Sequence, residues 1–405
     1  MPKPSTLSLA FILATVGLDA IGIGLMFPVM PDLMMEVTQS SLSQAALWGG
    51  VLVTSFAVMQ FLFGPIVGNL SDRFGRRPVL LVSLAVMALD YVVMALAASV
   101  WVLLVARLIS GITAATHSTA SAYVADISAA DDRARRFGLI GAAFGAGFVA
   151  GPLIGGVLAE FGSRTPFWAA AGLAGINFIF GILVMPESLA PALRRPFSLA
   201  RANPLSSFAA IRHLPGLKLL LSVSFLYALT FNVWPAIWSY YGKEAFGWNA
   251  RWIGISLAVF GIGMVLAQAL LIGPLIRRYG ERQTALLGMG LEVATYTFYG
   301  FVTSGFWALV FTPISALGGV TGPALQGMMS RQTPETQQGE LAGINASLNA
   351  LAMIVTPLMM TTIFAIFTAA TAPIYLPGAP FLLSAVLMVG AVLVFVAGTR
   401  AEEPA

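Results

Sequence analysis

Long apolar runs alternate with short polar turns from one end of the chain to the other. A hydrocarbon core about 30 Å thick needs roughly 20 apolar residues per helix, and about twelve such runs can be laid along the sequence. They are expected near residues 6–30, 44–70, 78–97, 99–123, 134–159 and 165–186. A second set follows near 215–238, 249–275, 283–302, 305–330, 338–365 and 375–398. The first run is too long for a cleavable leader and ends in Pro28-Val29-Met30-Pro31 rather than a small-residue cleavage site, so it reads as a span. The stretch 187–214 breaks the rhythm, with Glu187, Arg194, Arg195, Arg201 and Arg212 among prolines and serines. It is a polar linker between two six-helix halves, 1–186 and 215–405. An all-α membrane protein is expected.

Composition agrees. The 405 residues are 58% hydrophobic and only 9% charged, where soluble proteins carry about 25% charged residues. No cysteine is present, which excludes disulfides, cysteine metal sites and a thiol nucleophile. His117 and His213 are the only histidines, so a multi-histidine metal cluster is excluded. The net charge of +4 is no nucleic-acid signal, because the basic residues keep to short loops. Of the 21 Lys and Arg residues, Arg164, Lys243 and Arg251 fall on one side and Arg107 falls within a span. The rest, including Lys3 and Arg400, fall on the other. The positive-inside bias then puts both termini and the linker in the cytoplasm. Enzyme function is not expected: there is no phosphate-binding Gly-Lys loop, no metal cluster and no room for a soluble catalytic domain.

The halves also repeat. Gly68, Arg73, Gly75 and Arg77 become Gly273, Arg278, Gly280 and Arg282 at one offset (273 − 68 = 205). Gly138 and Pro152 become Gly343 and Pro357 at the same offset. Two pseudo-symmetric bundles of six transmembrane helices follow, with a substrate site near the midplane, where such repeats place it. Three acids interrupt the apolar runs: Asp19, Asp90 and Glu292. A carboxylate at bilayer depth costs roughly 2.5–3.5 kcal/mol on insertion scales and marks proton or substrate coupling by default. That points to a transporter. A desolvated carboxylate binds a proton more readily, and a cationic substrate reverses the effect. Proton and substrate then compete for one charge, which yields exchange.

The strongest local motif is Gly68-Asn69-Leu70-Ser71-Asp72-Arg73-Phe74-Gly75-Arg76-Arg77-Pro78. Gly68 and Gly75 are expected to permit close backbone approach. Asp72 among Arg73, Arg76 and Arg77 is expected to form a charge-assisted cluster that makes and breaks as the halves move. The motif resembles the loop signature of the major facilitator superfamily. Its repeat copy carries Arg277 in place of Asp72 and reads as degenerate. The run Gly141 to Gly156, with Gly147, Gly151, Pro152 and Gly155, resembles the antiporter signature of proton-driven drug exporters; glycines so spaced let a neighbouring helix pack backbone to backbone. Arg107, in Leu104 to Gly111, resembles an intramembrane arginine of the same family; a carboxylate or backbone carbonyls would serve as its partner. The run Gly17 to Pro31, Leu89-Asp90-Tyr91 and Phe246-Gly247-Trp248-Asn249 together resemble the tetracycline/proton antiporters of Gram-negative bacteria.

The resemblance implies an inner-membrane exporter that exchanges a tetracycline for an incoming proton; the sequence leaves the oligomeric state open, a monomer being the expectation. The exporter needs no cofactor of its own, and the drug travels chelated to a divalent cation such as Mg2+. The matching positions are Asp19, Gln60, Ser71, Asp72, Arg76, Asp90, Arg107, Gln268 and Glu292. Met264 departs from relatives that carry a histidine there, and a thioether cannot titrate. A multidrug or metabolite exporter of the same superfamily is the alternative. Asp19 and Glu292 are expected to couple protons, and Asp90 to serve structure or the admission of substrate. His117 either couples protons or bonds a neighbouring helix, whereas His213 is expected to be solvated. Phe225, Tyr227, Phe231, Trp234, Trp238, Tyr240 and Tyr241 crowd the seventh span, where Asn232 and Pro235 interrupt it. They form an interfacial belt or, near Asn232, line a site for a flat drug. Gly322-Pro323 with Gln326 either breaks the tenth span beside the cavity or relieves packing.

Overall fold

The computed structural model describes residues 6–114, 116–198, 202–205, 208 and 210–399. Lys3, Arg201 and Arg400 lie outside the described residues, as does the side chain of His213. No strand occurs among the described residues. The first half holds α1 (Thr6–Met26), α2 (Met30–Thr38), α3 (Leu42–Phe74), α4 (Arg76–Leu96), α5 (Val100–Thr113), α6 (Thr116–Ile127), α7 (Arg133–Leu158) and α8 (Thr165–Val184). The second holds α9 (Lys218–Phe231), α10 (Val233–Phe246), α11 (Ala250–Leu266), α12 (Ile272–Phe301), α13 (Gly305–Ser315), α14 (Thr321–Arg331), α15 (Gln338–Thr368) and α16 (Ala379–Thr399). Eleven stretches among the described residues are long and apolar enough to cross a membrane, and one of them, Ala250–Phe301, is 52 residues long. Gly280 breaks it at φ 75°, ψ 169°. Counted as two, it completes the expected twelve.

The described residues gather into two compact units. The first is Met1–Gln39, Ser55–Pro204 and Asn249–Ala258; the second is Ser40–Thr54, Leu205–Trp248 and Val259–Ala405. The repeat is structural as well as textual. Gly75 between α3 and α4 has φ 110° and ψ 165°, and Gly280, 205 positions on, has nearly the same extended, left-handed-side backbone. Only glycine takes such angles without penalty. The discontinuities repeat too. The turn between α1 and α2 at 27–29 answers the break at Asn232 between α9 and α10. The break at Ala114 after α5 answers the 3-10 stretch Ala316–Val320 between α13 and α14.

Helix starts and stops have local causes. Ser99 caps α5, its hydroxyl accepting from the Trp101 N–H at 3.3 Å, and satisfies one of the free amides of the first turn. Pro166 opens α8, where its missing N–H costs nothing. Arg164 ends α4 from outside by donating to Ala95 O at 2.8 Å and Ala97 O at 2.7 Å, and it pairs with Glu36 at 3.0 Å. The first unit has a core of Phe11, Ile12, Val16, Leu80, Leu84, Tyr123, Val124 and Met185.

Between helices in lipid there is no hydrophobic driving force, so close packing must supply the attraction. The seam of α1 on α7 is built for it. A Cβ on Gly151 would meet Ile21 O at 2.6 Å and Gly24 Cα at 2.8 Å. One on Gly155 would meet Leu25 O at 2.5 Å, and one on Gly147 would strike Gly17 O. Facing them, a Cβ on Gly24 would meet Pro152 Cδ at 2.7 Å. Gly147, Gly151 and Gly155 recur every fourth residue, which places them on one face of α7. Gly151→Leu is therefore expected to destabilise the protein by more than the about 1–3 kcal/mol of ordinary overpacking, since main chain is what it strikes. Gly145→Ala, where a Cβ meets nothing within 4 Å, is expected to be neutral. Thermal midpoints in detergent check both, and equal midpoints would refute the seam.

Candidate functional site

Two buried carboxylates of the first unit have opposite surroundings. Asp90 of α4, 6% exposed, forms an ion pair with Arg107 of α5, 8% exposed. Arg107 Nη2 also donates to Met94 Sδ at 3.2 Å, and the guanidinium lies 5.6 Å from the Phe56 ring centre. Asp90 Oδ1 and Arg107 Nε have no further hydrogen-bond partner. The carboxylate that the intramembrane arginine required is thus Asp90, and the structural reading of Asp90 is favoured. Asp19 of α1 is 9% exposed. It makes no hydrogen bond or ion pair among the described residues. It sits between Gly17 and Ile21, whose carbonyls face the glycines of α7. One turn earlier, Thr15 donates to Asn177 Oδ1 of α8 at 3.2 Å, a buried contact that sequence reasoning missed.

The break after α5 brings Gln60 into play. Its side-chain nitrogen donates to Ala114 O at 3.4 Å, replacing a helical partner that the interruption removed. His117, in the first turn of α6, is exposed. Its ring meets Phe144 of α7 edge-on at 5.7 Å.

The basic loop is a network. Arg76 Nη1 donates to Asp72 Oδ1 at 2.6 Å and to Ser71 Oγ at 3.1 Å, and Arg76 Nε donates to Asp126 Oδ2 at 3.1 Å. Arg77 reaches Ile182 O at 2.7 Å, closing the end of α8. Arg73 lies over Phe74 at 5.1 Å instead of joining the cluster. Close approach holds at Gly75, where a Cβ would strike the Glu187 carboxylate. It fails at Gly68, where a Cβ would meet nothing within 4 Å. Sequence reasoning missed Glu187. Its Oε1 accepts from the Arg76 N–H at 2.8 Å, and its Oε2 accepts from the Arg77 N–H at 3.2 Å. Two free amides at the start of α4 are thereby satisfied by an anion. Asn69 likewise exchanges hydrogen bonds with the Ser198 backbone, at 2.7 and 3.4 Å.

In the second unit, Glu292 of α12 is 4% exposed, and its Oε2 has no hydrogen-bond partner. A Cβ on Gly318 would meet Glu292 Cγ at 2.6 Å. The tenth span is therefore interrupted beside Glu292, at Ala316–Val320 and not at Gly322-Pro323. Those two residues sit in the first turn of α14, where a proline is harmless. A Cβ on Gly319 would strike Met264 Sδ, so the thioether fills space against the break. Gln268 is exposed within a π-helical turn, Ala267–Leu271, a distortion frequent at functional sites. Gln326 is exposed on α14. Asn232 spends its amide on Ala228 O at 2.7 Å, an oxygen that also accepts the Asn232 backbone N–H at 3.1 Å.

The aromatics of the seventh span overturn the belt reading for their larger members. Trp234, Trp238, Tyr240 and Tyr241 are buried. Trp234 packs on Trp238, Tyr299 and Phe381 at 5.1, 5.2 and 5.3 Å, and Tyr241 donates to Tyr299 O at 2.6 Å. Tyr227 and Phe231 stand apart as a half-buried stack at 5.7 Å. A Cβ on Gly322 would lie 3.3 Å from the Tyr227 hydroxyl.

Comparison with known proteins adds the lineage. The family description Major Facilitator Superfamily fits residues 12–233 and 219–405. The tetracycline resistance protein, class C, of Escherichia coli is 45% identical over 358 residues, which cover 88% of this chain and 90% of that protein. The class G protein of Vibrio anguillarum is 40% identical over 359 residues, covering 87% and 89%. The solved nucleoside transporter NupG has a TM-score of 0.79 over 98% of this chain and 100% of its own, at 13% identity; that likeness concerns the fold alone.

Removing one member of a buried ion pair strands the other and costs about 3–5 kcal/mol, whereas replacing both with apolar groups is near neutral. Asp90→Leu and Arg107→Met are each expected to lower the thermal midpoint sharply, and the double variant to recover most of the loss. A double variant as unstable as the sum of the two would show that they are not partners.

Proposed function

We propose, from the premise that this chain belongs to the Major Facilitator Superfamily, that it exports tetracycline-like drugs across the bacterial inner membrane in exchange for protons. Two relatives named tetracycline resistance proteins, each matched over most of both chains, support the drug class. The observation that carries the coupling is the contrast between Asp19 and Asp90. Both are buried in one unit, but Asp90 is neutralised by Arg107 and Asp19 has no cation beside it. A carboxylate so placed is held as an anion only at a cost, and two ligands relieve that cost. One is a proton. The other is a cationic cargo, the drug carried as a chelate of a divalent cation such as Mg2+. Because each displaces the other from one carboxylate, inward movement of protons drives outward movement of drug. Glu292 plays the same part in the second unit.

The basic loop times the alternation. Asp72, Arg76 and Asp126 bind one another in one state and part in the other, and Gly75 absorbs the change. The distribution of Lys and Arg supports cytoplasmic termini and a cytoplasmic linker. A single chain contains every group this scheme uses, so the exchange needs no residue from a second copy.

Uptake of labelled tetracycline into inverted vesicles tests the reading. Uptake is expected with an imposed pH gradient, acidic inside, and is expected to vanish when a protonophore collapses it; uptake at one rate in both conditions would remove the coupling. Asp19→Asn should abolish gradient-driven uptake while the protein remains in the membrane, and full activity would exclude Asp19 from the mechanism. Asp72→Asn should lower kcat by about tenfold with KM little changed, the pattern of a slowed step after binding. Unchanged turnover would count against gating by the loop.

A further inference from the structure

We infer that Glu281 and Arg331 form a second latch, the charge-reversed counterpart of Arg76 and Asp126, which positions the interrupted tenth span over Glu292. The offset that relates the halves carries Arg76 to Glu281 and Asp126 to Arg331 (281 − 76 = 331 − 126 = 205). In the first unit, Arg76 Nε and Asp126 Oδ2 lie 3.1 Å apart. In the second, Arg331 Nη2 and Glu281 Oε2 lie 2.5 Å apart. The same two positions are joined in both units, with the signs exchanged. Arg277 in place of Asp72 fits the same inversion, whereas Arg278 and Arg282 keep the sign of Arg73 and Arg77.

The reversal changes the electrostatics. Glu281 opens the second segment of α12 just after Gly280, and Arg331 is the last residue of α14. An anion in a first turn and a cation in a last turn both suit the helix dipole, by about 0.3–1 kcal/mol each. Arg76 and Asp126 occupy the opposite, unfavourable ends. There the Glu187 carboxylate supplies the anion that α4 needs at its start. The Glu281–Arg331 pair thus sits at helix ends that favour it, although Arg331 is exposed, whereas the more buried Arg76–Asp126 pair sits at ends where another carboxylate must supply the anion.

The pair reaches Glu292 through α14. This helix runs antiparallel to α12, and close glycine contacts set the register. A Cβ on Gly327 would meet Glu281 Oε1 at 2.7 Å, one on Gly288 would strike Thr321 Oγ1, and one on Gly318 would meet Glu292 Cγ at 2.6 Å. From Glu281 to Glu292 is about 16 Å of helix, which the 11 residues of α14 match. Between the 3-10 break and the latch, α14 is a strut: a shift at Arg331 is passed to Gly318. Glu281 and Arg331 are positioning residues that act on Glu292 at a distance.

The effect on transport rests on the proposed export, whereas the packing does not, and the test separates them. The chain has no cysteine, so Ala324→Cys, at a buried position on α14, is a unique reporter. Into that background go Glu281→Gln, Arg331→Gln, both together, and Arg331→Lys. Labelling by a water-soluble maleimide should be slow in the parent and in Arg331→Lys and several-fold faster in Arg331→Gln. It should be largely slow again in the double variant, which leaves no lone buried charge. In vesicles, kcat for tetracycline should follow the same order, falling about tenfold in Arg331→Gln at unchanged KM. The pH profile of transport should move with it, because the surroundings of Glu292 change. Parental labelling in Arg331→Gln, or simple addition of the two Gln effects, overturns the latch. A parent that moves no tetracycline overturns the export reading, and the labelling then decides the latch by itself.

Discussion

Inside a helical bundle a charge has no water to share it, so each buried carboxylate needs a cation, a ring of donors or a proton. The molecule uses these answers in different places. Asp90 takes a guanidinium and becomes part of the frame. Glu187, nearer the loops, takes four backbone amides, those of Arg76, Arg77, Ser188 and Leu189. Glu281 takes Arg331. Asp19 and Glu292 are left over, and what distinguishes them is the partner they lack. Under the proposed exchange, the frame neutralises its own charges, and these two carboxylates are the ones left for ligands that come and go.

The same constraint governs the main chain. Backbone groups in hydrocarbon must be bonded within the protein, so an interrupted span is affordable only where something meets the freed groups. Gln60 meets Ala114, and at the second break the Asn232 side chain adds a bond to Ala228 O, which the Asn232 backbone N–H already meets. Each of these interruptions has its own counterpart in the other half, Ala316–Val320 for the first and 27–29 for the second. They therefore belong to the ancestral unit that was doubled, and they predate the divergence that gave one half an acid-rich latch and the other its mirror in sign.

Much of this was legible in the chain as written. Span lengths follow from the thickness of a bilayer, so the twelve runs could be placed without knowing any partner. The offset of 205 carries Gly75 to Gly280, and the break at Gly280 then follows the same backbone geometry, which only glycine serves. Pairings across helices were harder. That Asp90 and not Asp19 meets Arg107 depends on the rotation of α4 and α5, which near-uniform hydrophobicity leaves unmarked. Gly322-Pro323 advertised a break that lies one turn earlier, since proline in a first turn ends nothing. Trp234 and Trp238 looked interfacial by type, but they pack against Tyr299 and Phe381 from distant helices. Glu281 and Arg331 were within reach of the repeat itself. Projecting Arg76 and Asp126 forward finds them at once, provided opposite charges are accepted as equivalents.

The α1–α7 seam has a bearing on how such a protein can evolve. Along it, helix backbone faces helix backbone, with glycine and proline where side chains would otherwise interlock. A joint of that kind offers selection no side-chain vocabulary: no larger residue fits, and a smaller one does not exist. Change must therefore be written where there is room for a different side chain, as at exposed Gln268 and Gln326, while the seam under the helix that bears Asp19 keeps its backbone-to-backbone contact.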